Sequence, residues 1–283
     1  MKHAKVVTTA FSICIALSFL IGIPLLLQVK AISKHTRMIE TGEQIIESVL
    51  EMESEEQAYL LYHHEDVLDK IKDRISGLRK LQSSYEKAEF TRARTGPVEF
   101  AVWEEATNLY ERLFDQFVLY RKAVEKNIVE IRDLEKSILA VIYSKMNPER
   151  GVIGLQEIRI HEKGYLLYRN YPEPPDEHPF QDKRKEAVAN LLMWAHEDKR
   201  IEELMQKDDE LFNEIMANYE MQDNTLAALK KESAKIRNIG QTFFQEGTER
   251  LQMIHRRCVF LSTILLMMWV IMAIAIVSTL FRR

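Results

Sequence analysis

Cysteine is almost missing from this chain of 283 residues: the two present, Cys14 and Cys258, both fall in its apolar ends. The stretch between them has no thiol, which excludes disulfide staples and thiolate metal sites there and is compatible with an oxidising compartment. No basic run interrupts an acidic balance of 43 Asp and Glu against 39 Lys and Arg, so the electrostatic footprint of a nucleic-acid binder is lacking. Glycine-rich phosphate loops, a nucleophile elbow and a spaced pair of catalytic carboxylates are missing too, and nothing in the residues calls for an enzyme, a cofactor or a metal. His161 and Glu162 begin like a zinc-protease helix, but Tyr165 stands where the second histidine is required. The adjacent His63, His64, Glu65 and Asp66 diverge around a helix or turn and read as solvated.

What the chain does contain is two charge-free apolar stretches, 6–29 and 258–281, each of 24 residues. A hydrocarbon core of about 30 Å needs roughly 20 residues of helix, so both are predicted to span a membrane. A cleaved signal peptide is the competing reading of the first, but the run is too long for an h-region and lacks a clear small-x-small site. The expected organisation is 1–5 outside the first span, 6–29 and 258–281 as spans, 30–257 as a helical domain, and 282–283 beyond the second span. Two crossings put both termini on one side. Charge bias does not say which, because Lys2, Lys5, Arg282 and Arg283 flank one face and Lys30, Lys34, Arg37, Arg250, Arg256 and Arg257 the other.

Only nine glycines and seven prolines occur, so turns are few. Pro97, Pro148 and the group Pro172, Pro174, Pro175 and Pro179 mark the breaks, since proline disfavours helix in the residue before it. Between them the spacing predicts an all-α domain of six helices, at about 30–62, 65–82, 98–147, 152–170, 181–196 and 200–256. The third has the clearest seam: Trp103, Ala106, Tyr110, Leu113, Phe117, Tyr120, Val124, Asn127, Ile131, Leu134, Ile138 and Val141 recur every three or four residues. At about 1.5 Å per residue, a zigzag of these helices returns the chain to the membrane, which implies two stacked four-helix bundles. The proximal one takes about 30–120 plus 225–257, the distal one about 128–217, and they are expected to meet near Tyr62, Pro172 and Asn127. Asn127, Asn218 and Gln222 are expected to form a polar layer there, either setting the register or acting as a joint.

The sequence repeats itself once. Glu56-x-x-Tyr59-Leu60-Leu61-Tyr62 closes the first helix and Glu162-x-x-Tyr165-Leu166-Leu167-Tyr168 closes the fourth. Two spans around an all-helical domain, with the doubled motif and its best copy Arg159-x-x-Glu162-Lys163-x-Tyr165-Leu166, resemble the helical bimodular sensor domain. That family forms the periplasmic input modules of bacterial chemoreceptors and some sensor histidine kinases. The first copy departs from the pattern, with Glu53 where Arg159 would stand and Gln57 in place of Lys163. The resemblance implies a module in the bacterial inner membrane with its termini in the cytoplasm. It also implies a small-molecule ligand, often an organic acid, held inside a bundle, and a signal passed through the second span.

Arginine suits a carboxylate because its donors form a planar fork, and Arg159 and Lys163, four apart, share a helical face with Glu162 beside them. Arg159, Glu162, Lys163 and Tyr165 are therefore the candidate ligand-binding residues, with an ion pair internal to the helix as the alternative. Since only Arg282 and Arg283 follow the second span, the output is expected from a homodimer or a separate signalling protein in the membrane. The rival reading is a membrane-anchored coiled-coil scaffold or a receptor remnant without a ligand. Phe243, Gly247, Leu251 and Ile254 are expected to extend the seam towards the bilayer, with Gly247 and Ile254 facing a second copy.

Overall fold

The computed structural model describes residues 2–62, 64–90, 97–168, 178–196 and 198–281. Every regular element among them is helical: α1 (Lys2–Tyr62), α2 (Glu65–Phe90), α3 (Pro97–Tyr143), α4 (Pro148–Tyr168), α5 (His178–Ala195) and α6 (Lys199–Phe281). The all-α class and all six helices are as expected, with displaced ends. Pro97 and Pro148 open α3 and α4, and Pro179 is the second residue of α5. Proline is tolerated in a first turn, where its missing N–H would have had no helical partner. Hence α4 starts four residues before its expected position. The break expected at Pro172 to Pro175 lies outside the described residues.

Two helix ends show local chemistry that the pattern did not reveal. The α3–α4 turn places Asn147 in the left-handed region (φ 58°), a conformation that asparagine tolerates better than most residues. The α5–α6 turn does the same with His196 (φ 49°). Asp198 then caps α6, its Oδ1 accepting from the backbone N–H of Arg200 at 2.9 Å and of Ile201 at 3.2 Å. Lys145 ties the two turns together, 2.7 Å from Asp198 and 3.2 Å from the Ala195 carbonyl oxygen.

The chain divides into two compact units. The first comprises Met1–Glu111 and Lys230–Arg283, hence α1, α2, the start of α3 and the end of α6. In it α1 and α6 run antiparallel, with partners that descend on one as they climb on the other. The Ser233 hydroxyl donates to Glu53 at 2.8 Å, Gly240 lies against Gly42, Gly247 against Ile39, and the Cys258 thiol donates to Gln28. The two backbones touch at the glycine pair: a Cβ added to Gly42 would lie 2.6 Å from the Gly240 carbonyl oxygen. Trp103 of α3, wholly buried, packs with Tyr85 of α2, Phe100 and Phe243 in an aromatic cluster of the same unit.

Arg112–Leu229 form the second unit, in which the rest of α3, all of α4 and α5, and the start of α6 share one interior. One apolar cluster takes Ile138, Ile158, Leu191 and Met205 from the four helices. Another takes Leu134, Tyr165, Leu211 and Phe212, with Phe180 packed on it. The α3 seam is buried throughout apart from Leu113 and Tyr120, which are half-buried. The boundaries expected on α3 and α6, about 120–128 and 217–225, fall within this second unit.

One expectation is corrected. Gly247, expected to face a second copy, packs on α1 instead, where an added Cβ would lie 2.7 Å from Ile39 and 3.1 Å from the His35 carbonyl oxygen, while Ile254 is half-buried and Phe243 of the same seam is buried among the aromatics. Close approach of α1 and α6 consumes the small residue on that face. Among the described residues one helix, α6, contains a stretch long and apolar enough to cross a membrane. Its Phe260, Leu266, Met267 and Ile271 are exposed on the isolated chain.

Candidate functional site

A layer of charge separates the two apolar clusters of the second unit. On each helix it occupies the position between them: Glu135 between Leu134 and Ile138 of α3, Arg159 and Glu162 between Ile158 and Tyr165 of α4, Arg184 between Phe180 and Ala187 of α5, and Asp208 between Met205 and Leu211 of α6. Arg159, Glu162, Arg184 and Asp208 are buried, Asp208 completely. Arg159 donates through Nη1 to Glu162 at 2.5 Å and through Nη2 to Asp208 at 2.7 Å. Arg184 donates through Nε to Glu162 at 2.8 Å, through Nη2 to Asp208 at 2.9 Å, and through Nη1 to the half-exposed Asp209. Its guanidinium carbon lies 4.4 Å from the centre of the Phe212 ring, a cation–π arrangement.

The four buried charges cancel, and each carboxylate touches both arginines. Such a set holds together only because its charges and donors are matched, since an unpaired ion in this interior would cost several kcal/mol. Burial raises the Glu162 pKa, the Asp208 carboxylate adds to the rise, and the two arginines oppose it. Burial works against the charged forms of Arg159 and Arg184, but the surrounding carboxylates, Glu162 foremost, outweigh it and hold both above the ordinary arginine value. Within this layer Arg159 Nε is a buried donor without a hydrogen bond; Glu135 is 3.5 Å away, an ion pair beyond good hydrogen-bond length.

Of the four candidates, Arg159 and Glu162 therefore meet within this layer. Lys163 is exposed, and Tyr165 is buried with its ring edge-on to Phe212, 5.7 Å between centroids. The structure adds Arg184 and Asp208, which sequence reasoning missed. Both had a signal. The α6 seam reads Ile201, Leu204, Leu211 and Ile215, and its gap of seven holds Asp208; on α5, Arg184 completes the series Phe180, Ala187, Leu191 at spacings of three and four. The expected polar layer at Asn127 is minor by comparison: Asn127 donates to Glu214 at 3.0 Å, Gln222 is buried with its amide nitrogen unpartnered, and Asn218 is half-buried.

The repeat is structural as well as sequential. Met52, Glu56 and Tyr59 are buried in the first unit as Ile158, Glu162 and Tyr165 are in the second, while Gln57 and Lys163 are both exposed. The chemistry around the shared glutamate differs. Among the described residues no arginine is bonded to Glu56; it accepts from the Tyr110 hydroxyl, and burial raises its pKa against the lowering effect of that bond. At the Arg159-equivalent position, Glu53 instead accepts from Arg237 and Ser233 of α6, so the charges across this pair of helices are exchanged between the units. No protein-family model matches the sequence, and no curated protein matches it. The resemblance to the helical bimodular sensor domain thus stands on the motif and the helical layout alone.

Proposed function

We propose that this chain is the membrane-anchored input module of a bacterial signal-transduction receptor. In this reading 6–29 and 258–281 are antiparallel spans, and residues 30–257 form a periplasmic sensor domain whose two units are each a four-helix bundle. The antiparallel pairing of α1 with α6 supports the two-span part, because it sets the two apolar ends side by side. The observation that carries the sensor part is the buried charge layer. Apolar residues of similar volume in place of a buried ion network are often neutral or stabilising by about 1–4 kcal/mol, so such a layer is a poor choice for a pure spacer and a good one for a switchable contact. A small organic acid would enter by taking the place of the Asp208 carboxylate between Arg159 and Arg184, exchanging one forked ion pair for another. That exchange alters how α6 is held to α4 and α5, and α6 continues into the apolar stretch, on to a second copy or a separate signalling protein.

The scaffold reading is favoured by a different observation: both guanidinium groups are already engaged by buried carboxylates. Thermal unfolding of the full chain in detergent, against a panel of small mono- and dicarboxylates and their neutral amides, separates the two. A carboxylate that raises the midpoint in wild type and not in Arg184→Gln supports the sensor. A panel without effect supports the scaffold.

A further inference from the structure

Where α1 and α6 approach the apolar ends, a groove of about 450 Å³ opens between them, lined by Ile32, Leu251, Gln252, His255, Arg256 and Cys258. Its walls are mainly apolar and continue into the run that begins at Cys258, while His255 and Arg256 are exposed at its rim. The segments next to the apolar ends are basic: positions 30–39 and 250–258 hold six Lys and Arg and no Asp or Glu, with Glu40 and Glu249 standing just beyond them. Lys30, Arg37, Arg250, Arg256 and Arg257 are all exposed, and none has a side-chain partner among the described residues. The antiparallel register puts Lys30 level with Arg256, and Arg37 with Arg250 about 10 Å further from the span. Some exposed cations elsewhere are paired, as Arg74 with Glu51 and Arg79 with Glu111. Cations gathered at the edge of an apolar span, one of them, Arg256, lining an apolar groove, are complementary to a molecule with an anionic head and a hydrocarbon tail.

We infer that this groove is a binding site for an anionic phospholipid, with the phosphodiester at Arg256 and His255 and one acyl chain along Ile32, Leu251 and Cys258. Lys30 and Arg257 supply the field that draws anionic lipid to the collar, and the groove makes the site selective over a diffuse attraction. A free phosphate has the same head chemistry but leaves the apolar walls wet; the groove's lining therefore favours the lipid as the source. The site lies on the α1–α6 pair, so lipid occupancy stiffens the pair on which any change in the helical domain must travel. This inference rests on the membrane reading of the apolar ends.

The test uses the full chain in vesicles of phosphatidylcholine alone or mixed with phosphatidylglycerol, followed by flotation and by mass spectrometry of the lipid retained after detergent extraction. The chain should float with both vesicle types and retain phosphatidylglycerol selectively. Arg256→Gln should lower that retention about fivefold, the effect of one cation at a lipid surface, without changing flotation. Ile32→Trp keeps every charge but fills the groove, and should lower it too. Equal retention of the two lipids, or undiminished retention in Ile32→Trp, overturns the site while leaving the span intact. Failure to float with either vesicle overturns the membrane reading itself. Inorganic phosphate that raises the thermal midpoint of the detergent-solubilised chain as much as phosphatidylglycerol does would reject the lipid in favour of the free anion.

Discussion

Replacing Arg184 by leucine removes one of the two cations in the charge layer while keeping an apolar side chain to fill its space. The substitution breaks the bonds to Glu162 at 2.8 Å and to Asp208 at 2.9 Å, the pairing with Asp209 and the stacking on Phe212. Glu162 and Asp208 are then left to share Arg159, with one buried negative charge uncompensated. Breaking a buried pair in this way costs about 3–5 kcal/mol. For a unit of roughly 120 residues, with unfolding entropy near 2.1 cal/mol/K per residue, that is a fall of about 12–20 °C in the midpoint of the second unit. The assay is thermal unfolding by circular dichroism of the detergent-solubilised chain, with hydrogen exchange read by mass spectrometry to assign the loss to 112–229. The double variant Arg184→Leu, Asp208→Asn restores charge balance and should recover much of the loss. Lowering the pH should also narrow the gap between Arg184→Leu and wild type. The reason is that a carboxyl whose folded pKa is raised carries its penalty above that pKa and loses it as protonation sets in. A single-variant loss below about 1 kcal/mol would mean that the layer is solvated like surface pairs, and would refute the reasoning.

Glu56→Gln should remove a pH dependence from the first unit: the buried Glu56 carboxyl has a raised pKa, so wild type gains stability relative to the variant as pH falls from neutral towards the ordinary carboxylate range. Parallel thermal scans at stepped pH check this, and curves that run parallel would show Glu56 to be well solvated. Gly42→Ala should destabilise by about 1–3 kcal/mol, because its Cβ would meet the backbone of Gly240 and Phe244, which cannot rotate away. Gly77→Ala in α2, whose Cβ meets nothing within 4 Å, should instead stabilise by roughly 0.5–1 kcal/mol, and a urea titration of the two glycine variants beside wild type checks both. If an organic acid ligand is found by calorimetry, Arg159→Ala should weaken it roughly ten- to a hundredfold, whereas Lys163→Ala, at an exposed position, should change affinity little.

The helical class, the six helices and the α3 seam were legible because apolar residues at three- and four-residue spacing can be buried only on one face of a helix, and prolines mark some of the breaks. The doubled glutamate motif was legible too, and its two copies carry the same pattern of burial. Arg159 and Glu162 were found through that motif. Arg184 and Asp208 stayed hidden because each is a lone charge in a seam, and a lone charge in a seam is expected to cost too much unless its partners are known.

Local periodicity is a property of one helix at a time, and so the sequence alone determined which faces would be buried and roughly where the helices would break. It did not determine what each face would meet. The assembly of α3, α4, α5 and α6 decided that two arginines and two acids from three helices would neutralise one another, since charge matching depends on distances of about 3 Å between residues up to 49 positions apart. Tertiary packing likewise decided that Gly247 lies against α1, because the close approach of two backbones depends on crossing geometry that no single-helix pattern encodes.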